Sequence, residues 1–184
     1  MLRNNRELWL AFLAMILITG MYGLVVVLTR EVPPASELFG HSLGIVGFTF
    51  MLMTETLYSL RKRSRSIKWG KMSNWLQFHI FTGLVGPYMV LLHTSWKFNG
   101  IAGVTTLFTI IIVISGFIGR YIFTRIPRTL DGLEIEGTLS QEALKHARRL
   151  LALWHSIHIP IGIVLFISAF VHIGAALYYA TFLK

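Results

Sequence analysis

The chain has 184 residues, of which 54% are hydrophobic and 14% are charged, and its mean hydropathy is positive. This composition excludes a water-soluble domain of ordinary type and indicates a small polytopic membrane protein. Because the chain has no cysteine, a disulfide, a thiolate-ligated iron–sulfur cluster and a covalently attached c-type haem are also excluded. What the formal charge of +9 indicates about binding partners depends on where the basic residues lie relative to the apolar segments.

Five apolar segments are each long enough to cross a hydrocarbon core, which requires roughly 20 helical residues. The predicted spans lie at about residues 8–28, 40–60, 75–95, 101–123 and 150–180. The first resembles a signal peptide, but its apolar run is long and no clean cleavage pattern follows, so we expect a retained anchor. The sequence therefore predicts an all-α integral membrane protein with five transmembrane helices, forming a single membrane domain over residues 1–184.

The longest polar stretch, at about residues 124–149, is predicted to be a cytoplasmic loop that contains a short helix. It serves either as a solvated connector or as a docking surface for a cytoplasmic partner, because acidic residues lie there beside basic ones. Both interpretations stay open at the level of sequence.

The basic residues are concentrated at one set of span ends. With the N-terminus inside, 14 of the 17 Lys and Arg residues lie on the inner side, and the other three are Arg30, Lys97 and Lys184. Positively charged loops are retained in the cytoplasm. We therefore expect the N-terminus inside and the C-terminus outside a cytoplasmic (inner) membrane. The run RKRSRSIKWGK at residues 61–71 is then a topology determinant beside anionic headgroups, and nucleic acid is not an expected partner.

Two of the spans carry histidine pairs with the same interval. His79 and His93 are fourteen residues apart in the third span, and His158 and His172 are fourteen apart in the fifth. At about 1.5 Å rise and 3.6 residues per turn, each pair shares one helix face and is separated by about 21 Å. Both spans run in the same direction, so His79 matches the depth of His158, and His93 matches the depth of His172. Facing imidazoles at two levels predict a helical bundle with two six-coordinate b-type haems.

Other uses of the histidines must be considered. A single intramembrane histidine can simply hydrogen-bond across helices, and imidazole clusters can also form a transition-metal transport path. His155 competes with His158, but it is seventeen residues from His172, so the spacing selects His158. His155 is then either a residue close to the ligands or to a quinone, or a packed core histidine.

Four further residues have two open interpretations each. Gly86 is seven residues from both ligands of the third span, and it serves either close approach of a flat macrocycle or ordinary helix packing. Arg120 either pairs with the propionates of the inner haem or anchors the inner side. Glu55 either relays protons near a quinone or snorkels to the interface. His41 is expected at the outer interface.

The third to fifth spans resemble the transmembrane dihaem cytochrome b group that includes the ferric-reductase-like and cytochrome b561-like membrane domains. The resemblance rests on the paired histidines, on the segment SGFIGRYIF at residues 115–123, and on Trp154, four residues before His158. A tryptophan precedes the first ligand of the last helix by four residues in ferric-reductase-like domains, which favours His158. The fourteen-residue spacing is also similar to that of the cytochrome b of bc complexes.

This resemblance implies bis-histidine haem and electron transfer. Because the chain ends at Lys184, the flavin and NAD(P)H domain of ferric reductases is not expected within it. We expect an electron-transfer subunit of an oxidoreductase complex, holding two non-covalent haem b groups. It would connect a quinone pool with a flavoprotein, an iron–sulfur protein or a c-type cytochrome of a respiratory chain. The alternative within redox chemistry is the membrane part of a reductase for an external acceptor, supplied by a cytoplasmic flavoprotein.

Overall fold

The computed structural model describes residues 5–63, 70–124, 126 and 141–182. Every regular element in these ranges is an α-helix, and the five helices are α1 (Arg6–Thr29), α2 (Leu38–Arg63), α3 (Met72–His93), α4 (Gly100–Thr124) and α5 (Gln141–Phe182). Each is long and apolar enough to cross a membrane. The predicted all-α architecture with five candidate spans is confirmed, and the chain has the helices of a multi-pass membrane protein.

The last helix is longer than its predicted span. α5 has 42 residues, begins at Gln141 and continues through Pro160. At about 1.5 Å per residue, it reaches about 63 Å, roughly twice the thickness of a hydrocarbon core. Residues 141–149, where we expected a short helix within a loop, are helical and form the first turns of α5. The rest of the predicted loop, apart from residues 124 and 126, lies outside the described residues.

Successive helices alternate in direction, which gives the bundle two distinct ends. At one end, the Ser95 hydroxyl donates a hydrogen bond of 2.6 Å to the carbonyl of Pro33, joining the loop after α3 to the loop after α1. We call this the Gly40 end, after the residue near the start of α2. At the opposite end, Arg120 Nη2 lies 2.7 Å from Glu7 Oε1 and joins the end of α4 to the start of α1. We call this the Glu7 end.

Helices α2 and α3 pack closely because glycines face each other across the interface. A Cβ atom on Gly47 would lie 2.8 Å from the Gly86 carbonyl oxygen, and a Cβ on Gly86 would lie 2.8 Å from the Gly47 carbonyl oxygen. Only residues without a side chain allow two backbones to approach so closely. Around this contact, α1, α2 and α3 form a buried cluster of Ala11, Tyr22, Leu43, Val85, Met89 and Leu92.

The distribution of apolar and polar side chains fits a lipid environment. Leu17, Val27 and Leu28 of α1 are each at least 70% exposed, as are many other apolar side chains to a smaller extent. Thr105 and Thr109 of α4 are buried instead, and their hydroxyls donate to carbonyls four residues earlier in the same helix. Hydroxyl groups directed inward and hydrocarbon directed outward are expected where the surrounding solvent is lipid.

Candidate functional site

His79 lies in the first half of α3, and its ring is held by α2. Its Nδ1 atom is 3.1 Å from the carbonyl oxygen of Thr54. A carbonyl oxygen can only accept, so Nδ1 carries the proton and donates it. The neutral ring then has its lone pair on Nε2. This is the tautomer in which an imidazole binds a metal through Nε2 while its other nitrogen is oriented by a protein oxygen.

His93, the last residue of α3, repeats this arrangement at the Gly40 end. Its Nδ1 atom donates to the carbonyl oxygen of Gly40 over 2.8 Å. One helical turn later, Gly44 lies against the same ring, and a Cβ atom there would be 2.9 Å from Cγ and Nδ1 of His93. Helix α2 therefore supplies both an acceptor for the ring and the space that the ring occupies.

His158 is held by α4 and by a tryptophan of its own helix. The Trp154 ring stacks on the imidazole with centroids 4.6 Å apart and planes inclined by 29°. His158 Nδ1 lies 2.9 Å from the Ser115 hydroxyl oxygen, and Trp154 Nε1 donates to the Ser115 carbonyl over 2.7 Å. The indole fits over Gly119, where a Cβ atom would overlap with it. Two side chains and one glycine thus fix the position of this ring.

The four histidines form two pairs at two levels of the bundle. The imidazole of His158 lies within electrostatic range of His79, and that of His172 lies within range of His93. All four residues are half-buried. The structure thus places together the two pairs that the spacing predicted, one nearer the Glu7 end and one nearer the Gly40 end.

The two histidine-bearing helices face each other without direct packing. Among the described residues, no Cα atom of α3 lies within 8 Å of a Cα atom of α5, although helices in contact have axes only about 8–10 Å apart. Aromatic side chains join α2 to α5: the Phe48 ring of α2 lies 6.1 Å from that of Phe166 and 5.5 Å from that of Phe170. Along α2, Phe48 lies between Gly44 and Thr54, so this aromatic cluster separates the two histidine levels.

The remaining histidines have other surroundings. His155 Nδ1 lies 3.3 Å from the Leu151 carbonyl of its own helix, and its ring packs edge-on against Trp154 at 4.7 Å. His155 is also within electrostatic range of His158. His41 is exposed, with its ring 6.4 Å from that of His93, and His146 is exposed as well.

Three other candidate residues have partners within the protein. Arg120 donates to Glu7 over 2.7 Å and to the Asn5 side chain over 3.1 Å, which explains its position without a propionate. Gly86 lies in the α2–α3 interface, so helix packing explains it. Glu55 is exposed and accepts a hydrogen bond of 3.3 Å from Ser59.

Several residues of the site were not singled out from the sequence. Thr54 and Gly40 contribute backbone carbonyls, and a carbonyl carries no signal of residue type. Ser115 was noted only as part of a segment, although its hydroxyl meets His158. The spacing of Gly40 and Gly44 by four residues is a signal that could have been used, because small residues at this interval mark close helix approach.

Within the described ranges, no group of three or more His, Asp or Glu residues lies together in a way that could hold a metal ion. The chain matches no protein-family model, and no curated protein or solved structure is detectably similar to it. The fold and the site define a multi-pass helical protein with histidine pairs at two levels.

Proposed function

We propose that the chain is a dihaem b-type cytochrome subunit that transfers electrons across a membrane. The observation that carries the proposal is the alignment of two imidazole pairs between α3 and α5, His79 with His158 and His93 with His172. A six-coordinate b-type haem takes two axial nitrogens, one from each side of the macrocycle. His79 and His158 would hold one haem, and His93 and His172 would hold a second.

The surroundings of the imidazoles fit this cofactor. Nδ1 of His79 and Nδ1 of His93 each donate to a backbone carbonyl, and Nδ1 of His158 meets the Ser115 hydroxyl. In each of these rings Nε2 is then the nitrogen available as an iron ligand. The absence of close Cα approach between α3 and α5 in the described residues is consistent with a flat group between them. The residues present therefore fit haem b.

Haem, when bound, supplies one-electron chemistry at its iron. The chain orients the imidazoles through Thr54, Gly40 and Ser115, and their half-buried positions limit the access of water. A fixed second nitrogen raises the basicity of a ligating histidine, and the apolar surroundings tune the reduction potential. The Phe48 cluster keeps the two levels apart.

The setting that fits best is the cytoplasmic (inner) membrane, with the basic side and the N-terminus in the cytoplasm. Electrons would pass between a membrane quinone pool and partner redox subunits, such as a flavoprotein, an iron–sulfur protein or a c-type cytochrome. The reductase supplied by a flavoprotein differs only in its partners. A transition-metal transporter is less well supported, because metal-ion sites typically use three or four protein ligands, and no group of three or more His, Asp or Glu among the described residues is placed to hold a metal ion.

The optical spectrum of the purified protein tests the proposal. Expression with sufficient haem supply, purification in detergent and a reduced-minus-oxidised spectrum should show b-type bands, with about two haems per chain, one for each imidazole pair. The matched control is His146→Ala, an exposed histidine of α5, which should keep both haems. A protein that is folded and purified without b-type bands contradicts the proposal, and metal analysis then tests the transport alternative.

A further inference from the structure

A cleft opens between α1 and α3 at the Glu7 end. Its volume is about 260 Å³, and it is lined by Leu10, Phe78 and Phe81 together with Glu7, the cation Arg6 and the two amides Asn74 and Gln77. Apolar walls with a few convergent polar groups are the usual composition of a site for a small organic molecule. Phe78 directly precedes His79, so the cleft lies at the level of the first histidine pair.

One oxygen of Glu7 indicates what the cleft holds. The Glu7 side chain is 2% exposed, and its Oε1 atom accepts from Arg120 over 2.7 Å. Its Oε2 atom is buried and has no hydrogen-bond partner among the described residues. A buried carboxylate oxygen without a donor carries a desolvation cost, so such groups normally have a partner. The missing partner is a donor, because an ionised carboxylate only accepts.

We propose that this cleft binds the ring of a lipid-soluble hydroquinone, with one ring hydroxyl donating to Glu7 Oε2. The aromatic and aliphatic walls suit an uncharged ring that enters from the hydrocarbon, and Asn74 or Gln77 can donate to the second ring oxygen. Arg120 holds the carboxylate in position through the 2.7 Å contact. This inference rests on the proposed function, since it specifies where the membrane-soluble electron carrier meets the chain.

Binding to the purified protein in nanodiscs of a single phosphatidylcholine tests the inference directly. The probe is a decyl-substituted benzohydroquinone kept reduced under anaerobic conditions, and the readout is its Kd by calorimetry. Glu7→Gln removes a charge-assisted hydrogen bond and should raise the Kd at least about tenfold. Gln77→Leu should weaken binding as well, and it leaves the ion pair of Glu7 and Arg120 intact, so it decides the question if Glu7→Gln does not fold.

Two variants serve as matched controls. Glu142→Gln changes an exposed carboxylate at the start of α5, and Asn99→Leu changes an exposed amide beyond α3 at the Gly40 end; both should leave the Kd unchanged. Equal affinity of the native chain, Glu7→Gln and Gln77→Leu overturns the inference. So does a tightly retained phospholipid that the hydroquinone does not displace, detected by native mass spectrometry. A protein with two haems and no hydroquinone binding contradicts this inference alone, whereas a protein without haem contradicts the proposed function.

Discussion

The imidazole of His158 stacks on Trp154, one helical turn earlier, with ring centroids 4.6 Å apart. The same indole donates its N–H to the carbonyl of Ser115, whose hydroxyl meets His158 Nδ1 at 2.9 Å. Trp154 and Ser115 thus connect the His158 ring of α5 to the backbone and the side chain of α4. His155 Nδ1, by contrast, lies near a carbonyl of its own helix.

The first prediction concerns the pairing of the ligands. His79→Ala and His158→Ala should each lose the same one of two haems, because each removes one axial nitrogen of the same level. The double variant should lose no more than either single variant. Haem content per chain and low-temperature difference spectra measure this outcome.

The matched control for this pairing is His155→Ala, which should keep both haems. His93→Ala and His172→Ala should lose the other haem. Loss of a haem from His155→Ala, with both retained in His158→Ala, would show that the wrong histidine was chosen.

A second prediction tests the hydroxyl that orients His158. Ser115→Ala removes the group facing Nδ1 and should weaken haem retention at that level by about 10- to 100-fold, the usual effect of losing a partner that orients a metal ligand. Haem loss to apomyoglobin over time measures retention. Ser168→Ala is the control, because the Ser168 hydroxyl donates to its own helix. Equal loss rates in the two variants would contradict a role for Ser115.

A third prediction concerns the space beside His93. Gly44→Ala places a methyl group 2.9 Å from the ring, so the imidazole must move and the haem at the Gly40 end should be lost or show a shifted spectrum. Gly23→Ala is matched to it, because a Cβ atom at Gly23 meets nothing within 4 Å. A spectrum of Gly44→Ala identical to that of Gly23→Ala would show that this contact does not position the ring.

The fourth prediction concerns the ion pair at the Glu7 end. Arg120→Gln leaves the Glu7 carboxylate, which is 2% exposed, buried without its cationic partner. Breaking a buried ion pair in this way costs about 3–5 kcal/mol, so thermal unfolding in detergent should occur at a clearly lower temperature. Arg61→Gln, at the same end of the bundle, is the comparison, because Arg61 contacts the Gly70 carbonyl over a long 3.4 Å. A similar unfolding temperature for both variants would argue against a structural role for the pair.

Much of the helical framework could be predicted because lipid imposes few solutions on the backbone. Polar backbone groups cannot stay unpaired in hydrocarbon, so a long apolar run must be a helix. The first four spans agree with α1 to α4 to within a few residues. A helix was predicted near residues 141–149, but its continuity with the apolar span could not be predicted in this way, because these residues are mostly polar.

The partners of individual side chains depend on helices that are far apart in the sequence. Glu7 and Arg120 are separated by 113 residues, and no local pattern connects them. The sequence alone therefore allowed a haem propionate as the partner of Arg120. The sequence also left two interpretations of Gly86, and its contact with Gly47 became evident only from the packing of α2 on α3.

The sequence by itself determined that five helices can cross a membrane and that two of them carry histidines at an interval of fourteen residues. Helical periodicity and hydropathy are local properties, so they need no knowledge of neighbours. Only the tertiary structure decided that His79 approaches His158 and that His93 approaches His172. It also decided that carbonyls of Thr54 and Gly40 accept from the rings of α3, because such contacts depend on how side-chain shapes fit between separate helices.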